Sequence, residues 1–172
     1  MSQIVLPKID KSILIRKDEI VKKLSKIINS DNILSEADEV RPYETDALSV
    51  YTQTPLAVVL PENTQEVSEI LKYCYKENIK VVPRGAGTGL SGGALPLQDA
   101  ILLGLGKFNK IIEIDYENKC VVTQPGVTNL GITHAVEHKG YYYAPDPSSQ
   151  LACSIGGNVA ENSGGVHSLK YG

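Results

Sequence analysis

Glycine is concentrated in two short segments of this 172-residue chain, and that distribution constrains the fold more than any other feature. Five of the fifteen glycines lie between Gly85 and Gly93, and four more lie between Gly156 and Gly165. Glycine weakens regular helices and strands but permits sharp bends and close approach of the backbone to a ligand. We therefore expect both segments to be loops. Two such loops in one domain suit a long ligand with several polar groups, such as a dinucleotide.

The stretch before the first cluster has the order strand, helix, strand. A short apolar run over residues 56–60 predicts a buried strand, and residues 63–66 resemble a capping box that begins with asparagine. The helix that follows places four residues on one apolar face: Val67, Ile70, Leu71 and Cys74. Asn78 is expected to end this helix, and residues 81–83 predict a second strand that stops at its proline. This order favours a parallel strand–helix–strand unit.

The segment before this unit is expected to form a separate N-terminal part. Residues 18–29 predict a helix that packs on the domain as an appendage. Its apolar stripe consists of Ile20, Val21, Leu24, Ile27 and Ile28. Residues 32–54 show no clear period and predict an extended polar connection. We therefore divide the chain into an N-terminal helix and extended segment, residues 1–54, and a second unit, residues 55–172.

Further elements are expected between the two glycine clusters. Residues 100–105 predict a strand, and residues 111–114 and 120–123 predict a strand pair with a turn between them. Thr128 can cap a helix that extends to about His138 and stops at a glycine. The three tyrosines at 141–143 predict one more strand.

The first glycine cluster is a candidate phosphate-binding loop. Successive backbone N–H groups in such a loop can point into one concavity, which suits phosphate oxygens. Thr88 and Ser91 would add hydroxyl donors, and Arg84 would either add a charge or hold the loop in shape. The alternative is a tight turn without a ligand, and the conformational entropy that each glycine costs argues against it.

The spacing of glycines over residues 87–92 satisfies the Rossmann pattern GxGxxG, but its context does not fit. The Rossmann motif opens a helix, because the pyrophosphate lies at the helix N-terminus. Here Gly93 and then Pro96 follow, with no helical period. The segment also lacks the Gly-Lys-Ser/Thr ending of a P-loop. The sequence therefore predicts phosphate binding by loop backbone, outside the Rossmann class.

Residues 134–138 match H-x-x-E-H, a zinc-peptidase pattern, on a predicted helix. The two histidines would share one face, as a metal site needs. The helix is short, however, and no following helix offers a third acidic ligand. We interpret His134, Glu137 and His138 as a solvated helix face, and we assign no metal site.

Composition argues against several classes of partner. A formal net charge of −3 gives no electrostatic reason to bind nucleic acid, and no stretch approaches the ~20 apolar residues of a membrane span. The apolar run at residues 4–6 is too short for a signal peptide. The three cysteines are Cys74, Cys120 and Cys153, and their wide spacing indicates reduced thiols in a cytosolic protein.

Five segments of the chain together resemble a known family. They are residues 41–46, 83–96, 124–127, 142–150 and 153–162. In these segments, from about residue 34 to the last residue, the chain resembles the FAD-linked subunits of bacterial glycolate oxidases. Those belong to the PCMH-type, vanillyl-alcohol-oxidase-like flavoproteins. The resemblance implies an α+β fold of two lobes with FAD between them, of which this chain would contain the first lobe and the start of the second.

The resemblance also implies which residues bind FAD. The pyrophosphate would be wrapped by Arg84, Gly85, Ala86, Gly87, Thr88, Gly89, Leu90, Ser91 and Gly92. Gln124, Gly126, Asp146 and Ser148 would lie along the adenosine and flavin side. Cys153, Gly156, Gly157, Asn158 and Asn162 would line the rest of the cofactor. The FAD is expected to be non-covalent, because Ala86 and Thr88 stand where relatives with covalent flavin often carry a histidine.

The implied activity is oxidation of 2-hydroxy acids, glycolate first and D-lactate next, by hydride transfer to FAD. Members of this family continue well beyond residue 172, through the second lobe and a substrate domain with the catalytic base and metal ligands. We therefore expect a truncated and inactive chain, and we assign no catalytic residue. The family implies other oxidase subunits, one with iron–sulfur clusters, and a cytoplasmic place at the inner membrane held through them.

Two alternatives remain open from the sequence. The chain could be a catalytically inactive FAD-binding or assembly module. It could also be a different oxidoreductase of the same family, such as a cell-wall precursor reductase, although that assignment would not predict the Pro-Asp-Pro segment at residues 145–147.

Overall fold

The computed structural model describes residues 7–171, and its centre is a four-stranded sheet. The strands are β1 (Ile33–Leu34), β2 (Ala57–Val59), β3 (Lys80–Arg84) and β4 (Ala100–Gly104). In space they lie in the order β1–β2–β4–β3. Strand β4 is parallel to both β2 and β3, and β1 is antiparallel to β2. Every residue of β4 is buried, as suits a strand with neighbours on both sides.

A second sheet has two antiparallel strands, β5 (Ile111–Asp115) and β6 (Cys120–Thr123). The predicted strand pair is confirmed. In its turn the Asp115 carboxylate accepts a hydrogen bond from the backbone N–H of Asn118 at 2.9 Å. Lys119 adopts a positive φ of 55° just before β6 begins. Local chemistry of this kind closes a hairpin without help from the rest of the fold.

Helices surround the two sheets. In chain order they are α1 (Lys11–Ile15), α2 (Lys17–Leu24), α3 (Ala37–Val40), α4 (Thr64–Lys76), α5 (Asn129–Val136), α6 (Ile155–Glu161) and α7 (Ser168–Tyr171). Single turns of 3₁₀-helix lie at Ser30–Asn32, Arg41–Tyr43 and Glu137–Lys139. Within residues 7–171, no helix has the length and apolar character needed to cross a membrane. The arrangement agrees with the predicted α+β class.

The predicted strand–helix–strand unit is present, but its two strands are not neighbours. Strands β2 and β3 are parallel, as expected, and α4 connects them. Strand β4 lies between them, so that Val58 and Val82 both pair with Leu102. The order of elements in the sequence determines strand direction, whereas adjacency depends on a strand that arrives later in the chain.

Strand β3 continues through Pro83, although the sequence predicted that it would stop there. The carbonyl of Arg84 accepts a hydrogen bond from Leu105 N, so Arg84 faces β4 and Pro83 faces away from it. Because β3 is an edge strand, the N–H that proline lacks would have pointed out of the sheet. The proline therefore breaks no hydrogen bond between strands.

Helix α4 begins and ends as the sequence predicted. The side chain of Asn63 accepts a hydrogen bond from the N–H of Glu66 at 3.0 Å, and Asn78 has a φ of 54° just past the helix. Ile70 and Cys74 are buried, but Leu71 is 44% exposed, so its placement on the buried face was wrong. The buried stripe of α4 is narrower than the apolar stripe in its sequence.

The apolar stripe predicted for residues 18–29 is confirmed, while the helix bounds and the appendage are corrected. Helix α2 ends at Leu24, and a separate helix α1 precedes it. Ile20, Leu24 and Ile28 are buried in the same core cluster as residues of β2, α4 and β4. The N-terminal helices are therefore part of the main core, because their apolar face covers the sheet and α4.

Residues 32–54 are not an extended connection. They contain β1, α3 and the turn of 3₁₀-helix at Arg41–Tyr43. Val40 is buried against Val58 and Leu102 in a second core cluster. Elements of two to four residues are too short to show a hydrophobic period, which explains why the sequence pattern did not reveal them.

Helix α5 begins as predicted, with the Thr128 hydroxyl accepting from Gly131 N at 3.1 Å. Its extension to His138 is a turn of 3₁₀-helix, ended by Gly140 at a φ of 77°. The strand predicted at residues 141–143 is absent. These tyrosines instead line an apolar cavity of about 360 Å³ between α5 and the β5–β6 hairpin.

The second glycine cluster is largely helical, which corrects its prediction as a loop. Ser154 has an extended backbone, and α6 follows with Gly156 and Gly157 in its first turn. A Cβ at Gly156 would lie 2.6 Å from Pro125 Cβ, so a glycine is required for this close packing. The helix ends at Asn162, which has a φ of 55°. Here glycine serves packing between segments rather than a bend.

Candidate functional site

The first glycine loop and helix α6 face each other across a groove of about 470 Å³. The groove contains most of the residues predicted to bind a cofactor: Arg84, Gly85, Ala86, Gly87, Thr88, Gly89, Leu90, Ser91, Ser148, Cys153, Gly156, Gly157 and Asn158. It is also lined by residues that the sequence analysis did not single out: Pro83, Gly93, Ala94, Leu105, Pro125, Pro147, Ser149, Ser154, Ala160, Glu161 and Ser163. Segments far apart in the chain thus converge on one polar surface, as a long ligand requires.

The loop itself is irregular and opens no helix, in agreement with the argument against a Rossmann site. Gly87 and Gly92 adopt positive φ values of 73° and 76°. The carbonyl of Gly87 accepts a hydrogen bond from Ala47 N at 2.9 Å, which anchors the loop to the preceding segment. Positive φ at Gly87 turns its peptide groups away from an extended path and gives the loop its concave form.

The side chain of Arg84 contacts both the segment before the loop and the end of the loop. Its Nη1 donates to the carbonyl of Thr45 at 2.7 Å and lies 3.5 Å from the carbonyl of Ala94. The guanidinium also lies 5.7 Å from the centre of the Tyr43 ring. Burial lowers the pKa of Arg84, and the nearby Asp46 carboxylate opposes that shift. These contacts direct the charge into the protein.

Two buried side chains of the groove have polar atoms without a protein partner. Ser154 is 5% exposed and Asn158 is 7% exposed. Neither Ser154 Oγ nor Asn158 Nδ2 has a hydrogen-bond partner among the described residues. Leaving a buried polar atom unpaired costs about 1–3 kcal/mol, so both atoms are suited to a polar ligand in the groove.

Ser154 lies within the segment 153–162 but was not singled out, and in the structure it precedes helix α6, where a serine normally acts as the N-cap. The side chain of Ser154 makes no cap hydrogen bond to α6. It is instead pressed against Gly85, where an added Cβ would overlap Ser154 Oγ. The one sequence signal that could have identified it is its place two residues before the glycine pair at 156 and 157.

Five of the predicted cofactor residues do not line the groove: Gly92, Gln124, Gly126, Asp146 and Asn162. Gln124 accepts a hydrogen bond from Lys110 N at 2.7 Å. A Cβ at Gly126 would lie 2.7 Å from the carbonyl oxygen of Phe108, and Asp146 Oδ1 lies 3.0 Å from His167 Nδ1. Their role in cofactor binding stays a prediction.

Glu161 brings a negative charge to the groove. It lies at the end of α6, and its carboxylate faces the far side of the glycine loop. A Cβ at Gly93 would lie 3.3 Å from Glu161 Oε1, and one at Gly89 would lie 3.6 Å from it. Arg84 and Glu161 are the two charged residue types among those that line the groove, and the guanidinium of Arg84 is bound to Thr45 O.

The H-x-x-E-H residues lie away from this groove. His134, Glu137 and His138 are exposed, and the ring of His138 packs edge-on against Tyr116 at 6.4 Å between centroids. Between residues 7 and 171 no three His, Cys, Asp or Glu side chains are grouped as metal ligands would be.

The sequence profile of the family described as "FAD binding domain" matches residues 55–172. The chain belongs to this family. It is also 56% identical over 140 residues to "Glycolate oxidase subunit GlcD" of Escherichia coli (strain K12), a match covering 81% of this chain and 28% of that protein. The namesake subunit of Bacillus subtilis (strain 168) is 48% identical over 130 residues, covering 76% of this chain and 28% of the relative.

Two more distant proteins also match most of this chain. "D-2-hydroxyglutarate dehydrogenase, mitochondrial" of Arabidopsis thaliana is 33% identical over 88% of this chain and 27% of its own length. Among solved structures, alkyldihydroxyacetonephosphate synthase superposes with a TM-score of 0.79 at 22% identity, over 99% of this chain and 32% of that one. These matches establish the PCMH-type fold. The chain spans less than a third of the length of these proteins.

The groove combines buried polar atoms without partners and close packing of backbone segments. The loop and α6 present Ser154 Oγ and Asn158 Nδ2, both buried and unpaired. Glycines at 85 and 156 allow the backbones to approach more closely than any side chain would permit. Neutral hydroxyl, amide and N–H donors of this kind suit the phosphate and sugar oxygens of a dinucleotide.

Proposed function

We propose that this chain is the FAD-binding part of a flavin-dependent oxidoreductase that oxidises 2-hydroxy acids, with glycolate as the preferred substrate and D-lactate as the next. The 56% identity to a glycolate oxidase subunit, over the segments that form the groove, carries the proposal. When bound, the flavin supplies the chemistry by accepting hydride from the α-carbon of the hydroxy acid. The protein supplies binding and orientation.

In this proposal the loop from Gly85 to Ser91 holds the pyrophosphate through its N–H groups and hydroxyls. Ser154 and Asn158 donate to the same ligand from the opposite wall, which would satisfy both buried atoms. The described residues present no acid or base placed for the substrate's hydroxyl proton, so we assign no catalytic residue to them. The substrate carboxylate and proton would be handled outside this groove.

The FAD is proposed to be non-covalent. Residues that line the groove include no histidine or tyrosine, and Cys153 is 3% exposed. Acid precipitation of the holoprotein tests this point. Yellow colour in the supernatant is expected, and colour that stays with the pellet contradicts the proposal.

The activity is tested with glycolate and an artificial dye acceptor in the presence of excess FAD. Visible flavin bands after gel filtration should show that the chain binds FAD. Steady dye reduction should appear with a form of this protein that extends to the full length of its relatives, and not with the 172-residue chain. A chain that binds FAD while the full-length protein oxidises no 2-hydroxy acid would favour the alternative, an FAD-binding or assembly module.

The relatives are named as subunits, and this supports partner subunits for the whole protein. An iron–sulfur subunit among them is part of the proposal and rests on the sequence resemblance alone. The scattered, unpaired cysteines support a cytoplasmic location, peripheral to the inner membrane through those partners. Co-purification of the full-length protein from its native host checks both points.

A further inference from the structure

We propose that Arg84 is a positioning residue that joins the segment Tyr43–Ala47 to both ends of the glycine loop, so that the loop is formed before any ligand binds. The part of the proposal that concerns phosphate rests on the proposed function above. The part that concerns the loop does not, and it can be measured without a ligand.

The backbone of Arg84 is fixed by the sheet. It is the last residue of β3, it pairs with Gly104, and its carbonyl accepts a hydrogen bond from Leu105 N at 2.9 Å. From this rigid point the side chain turns under the loop that follows. The hydrogen bond to Thr45 O and the approach to Ala94 O place one guanidinium between the preceding segment and the end of the loop.

The middle of the loop rests on the same guanidinium. A Cβ at Gly87 would lie 2.6 Å from Arg84 Cζ and 2.8 Å from its Nε, so only the bare backbone of glycine fits against it. On its other side Gly87 is bound through its carbonyl to Ala47 N at 2.9 Å. Gly87 is thus held between Arg84 and the segment that Arg84 binds.

The charge of Arg84 is balanced inside the protein. Tyr43 covers the guanidinium, and Asp46, which is 5% exposed, supplies a nearby negative charge. Asp46 itself is fixed by a hydrogen bond from Leu48 N to its Oδ1 at 2.9 Å. A phosphate in the groove would compete with these partners for Arg84. If the N–H groups of the loop bind the phosphate instead, Arg84 keeps its partners within the protein.

Tyr43 to Ala47 lie before residue 55, where the match to the FAD-binding family begins. The support of the loop therefore includes a segment outside the matched range. If Arg84 positions the loop, a substitution at Tyr43 or Arg84 should loosen the loop in the free protein. If Arg84 only bound phosphate, its substitution should leave the loop of the free protein unchanged.

Amide hydrogen exchange of the free, full chain tests the proposal with the variants Arg84→Met, Arg84→Lys and Tyr43→Leu. Loosening of the loop should raise exchange at the amides of Ala47 and Leu95, which donate to Gly87 O and Gly92 O, about tenfold or more for Arg84→Met, and less for Tyr43→Leu. Arg84→Lys should also raise it, because a lysine lacks the planar guanidinium that lies beside the Tyr43 ring and against Gly87. Arg41→Met, which removes an exposed arginine without side-chain hydrogen bonds among the described residues, is the matched control.

The exchange of β4, residues 100–104, reports whether a variant remains folded. If Arg84→Met exposes β4, the proposal is judged on Arg84→Lys and Tyr43→Leu. Unchanged exchange at Ala47 and Leu95 in folded variants would overturn it.

The dependence of FAD affinity on salt gives the second measurement. The slope should be the same for the parent and Arg84→Met, which removes the charge, since a positioning residue releases no counterion on binding. A smaller slope in the variant would make Arg84 a phosphate ligand and overturn the proposal. If the parent binds no FAD, the proposed function fails while the exchange result still stands.

Discussion

At the scale of single residues, the two glycines at 87 and 89 face different demands. Gly87 has a positive φ of 73° and contacts Arg84, whereas an added Cβ at Gly89 would meet ordinary contact distances. A left-handed backbone costs a residue other than glycine roughly 1–2 kcal/mol before any overlap is counted. The loop therefore depends on one of these glycines much more than on the other.

Gly87→Ala should weaken FAD binding by about tenfold or more, while Gly89→Ala should change the dissociation constant by less than about threefold. Quenching of flavin fluorescence on titration with protein measures both variants. Equal losses for the two variants would contradict the conformational argument. Equal melting temperatures for the two apoproteins would show that any difference arises in the groove.

Glu161 is the second residue with a defined consequence. Its charge opposes the pyrophosphate, and two unit charges about 8 Å apart in water interact by about 0.5 kcal/mol. Glu161→Gln should therefore tighten FAD binding about twofold at low ionic strength, and the gain should fade as salt is added. Glu117→Gln, in the turn of the β5–β6 hairpin, is the control. Weaker binding by Glu161→Gln would instead indicate a hydrogen bond from the ligand to this carboxylate.

At the scale of elements, local chemistry determined what could be predicted. The β5–β6 hairpin and the ends of α4 were predictable because Asp115, Asn63 and Asn78 act within a few residues of their own position. Helix α6 was not, since Gly156 is required by its contact with Pro125 from another segment. The central position of β4 likewise depends on its pairing with both β2 and β3, which no local sequence pattern reveals.

Helix α2 gives a prediction about elements, because it belongs to the main core. Leu24 is fully buried, so Leu24→Ala should destabilise the chain by about 2–5 kcal/mol. Ile15 in α1 is 86% exposed, and Ile15→Ala should have little effect. Urea unfolding followed by circular dichroism compares them. If Leu24→Ala were as stable as the parent, α2 would be an appendage and not part of the main core.

At the scale of the whole molecule, Asp99 joins three parts of the chain before β4 begins. It is 2% exposed, and its Oδ2 accepts from Asp10 N at 2.6 Å and from Lys80 Nζ at 2.7 Å. Burial raises the pKa of Asp99, but the hydrogen bonds from Lys80 and Asp10 outweigh burial and hold the pKa below its usual value. A carboxyl with a lowered pKa in the folded state stabilises the fold when it is ionised.

The contribution of Asp99 is therefore present above the unfolded pKa of about 3.9 and is lost as pH falls through the lower pKa of the folded state. Asp99→Asn should lower the free energy of unfolding by about 1–3 kcal/mol at neutral pH. The gap between variant and parent should shrink in acid. Urea unfolding at both pH values measures it, with the exposed Asp31→Asn as control. A gap that widens in acid would contradict this sign.

The groove could be anticipated at the level of segments and not of atoms. Most predicted residues of the glycine loop do line it, because so dense a run of glycines favours a backbone that bends sharply and approaches a ligand closely. The sequence left two roles open for Arg84, a charge for the ligand or support of the loop. The contacts with Thr45 O and Ala94 O that bear on this choice are visible only in the structure. Ser154 could be identified only from the structure, which shows that its hydroxyl makes no cap hydrogen bond to helix α6.

The edges of the main sheet bear on self-association. Exposed strand edges can recruit strands from other molecules, and proline or very short strands prevent this. Strand β1 at one edge has two residues, and β3 at the other contains Pro83 with no N–H to offer outward. Neither edge is a good template for a further strand. The proline that helps to start the glycine loop thus also protects the folded chain from aggregation through its central sheet.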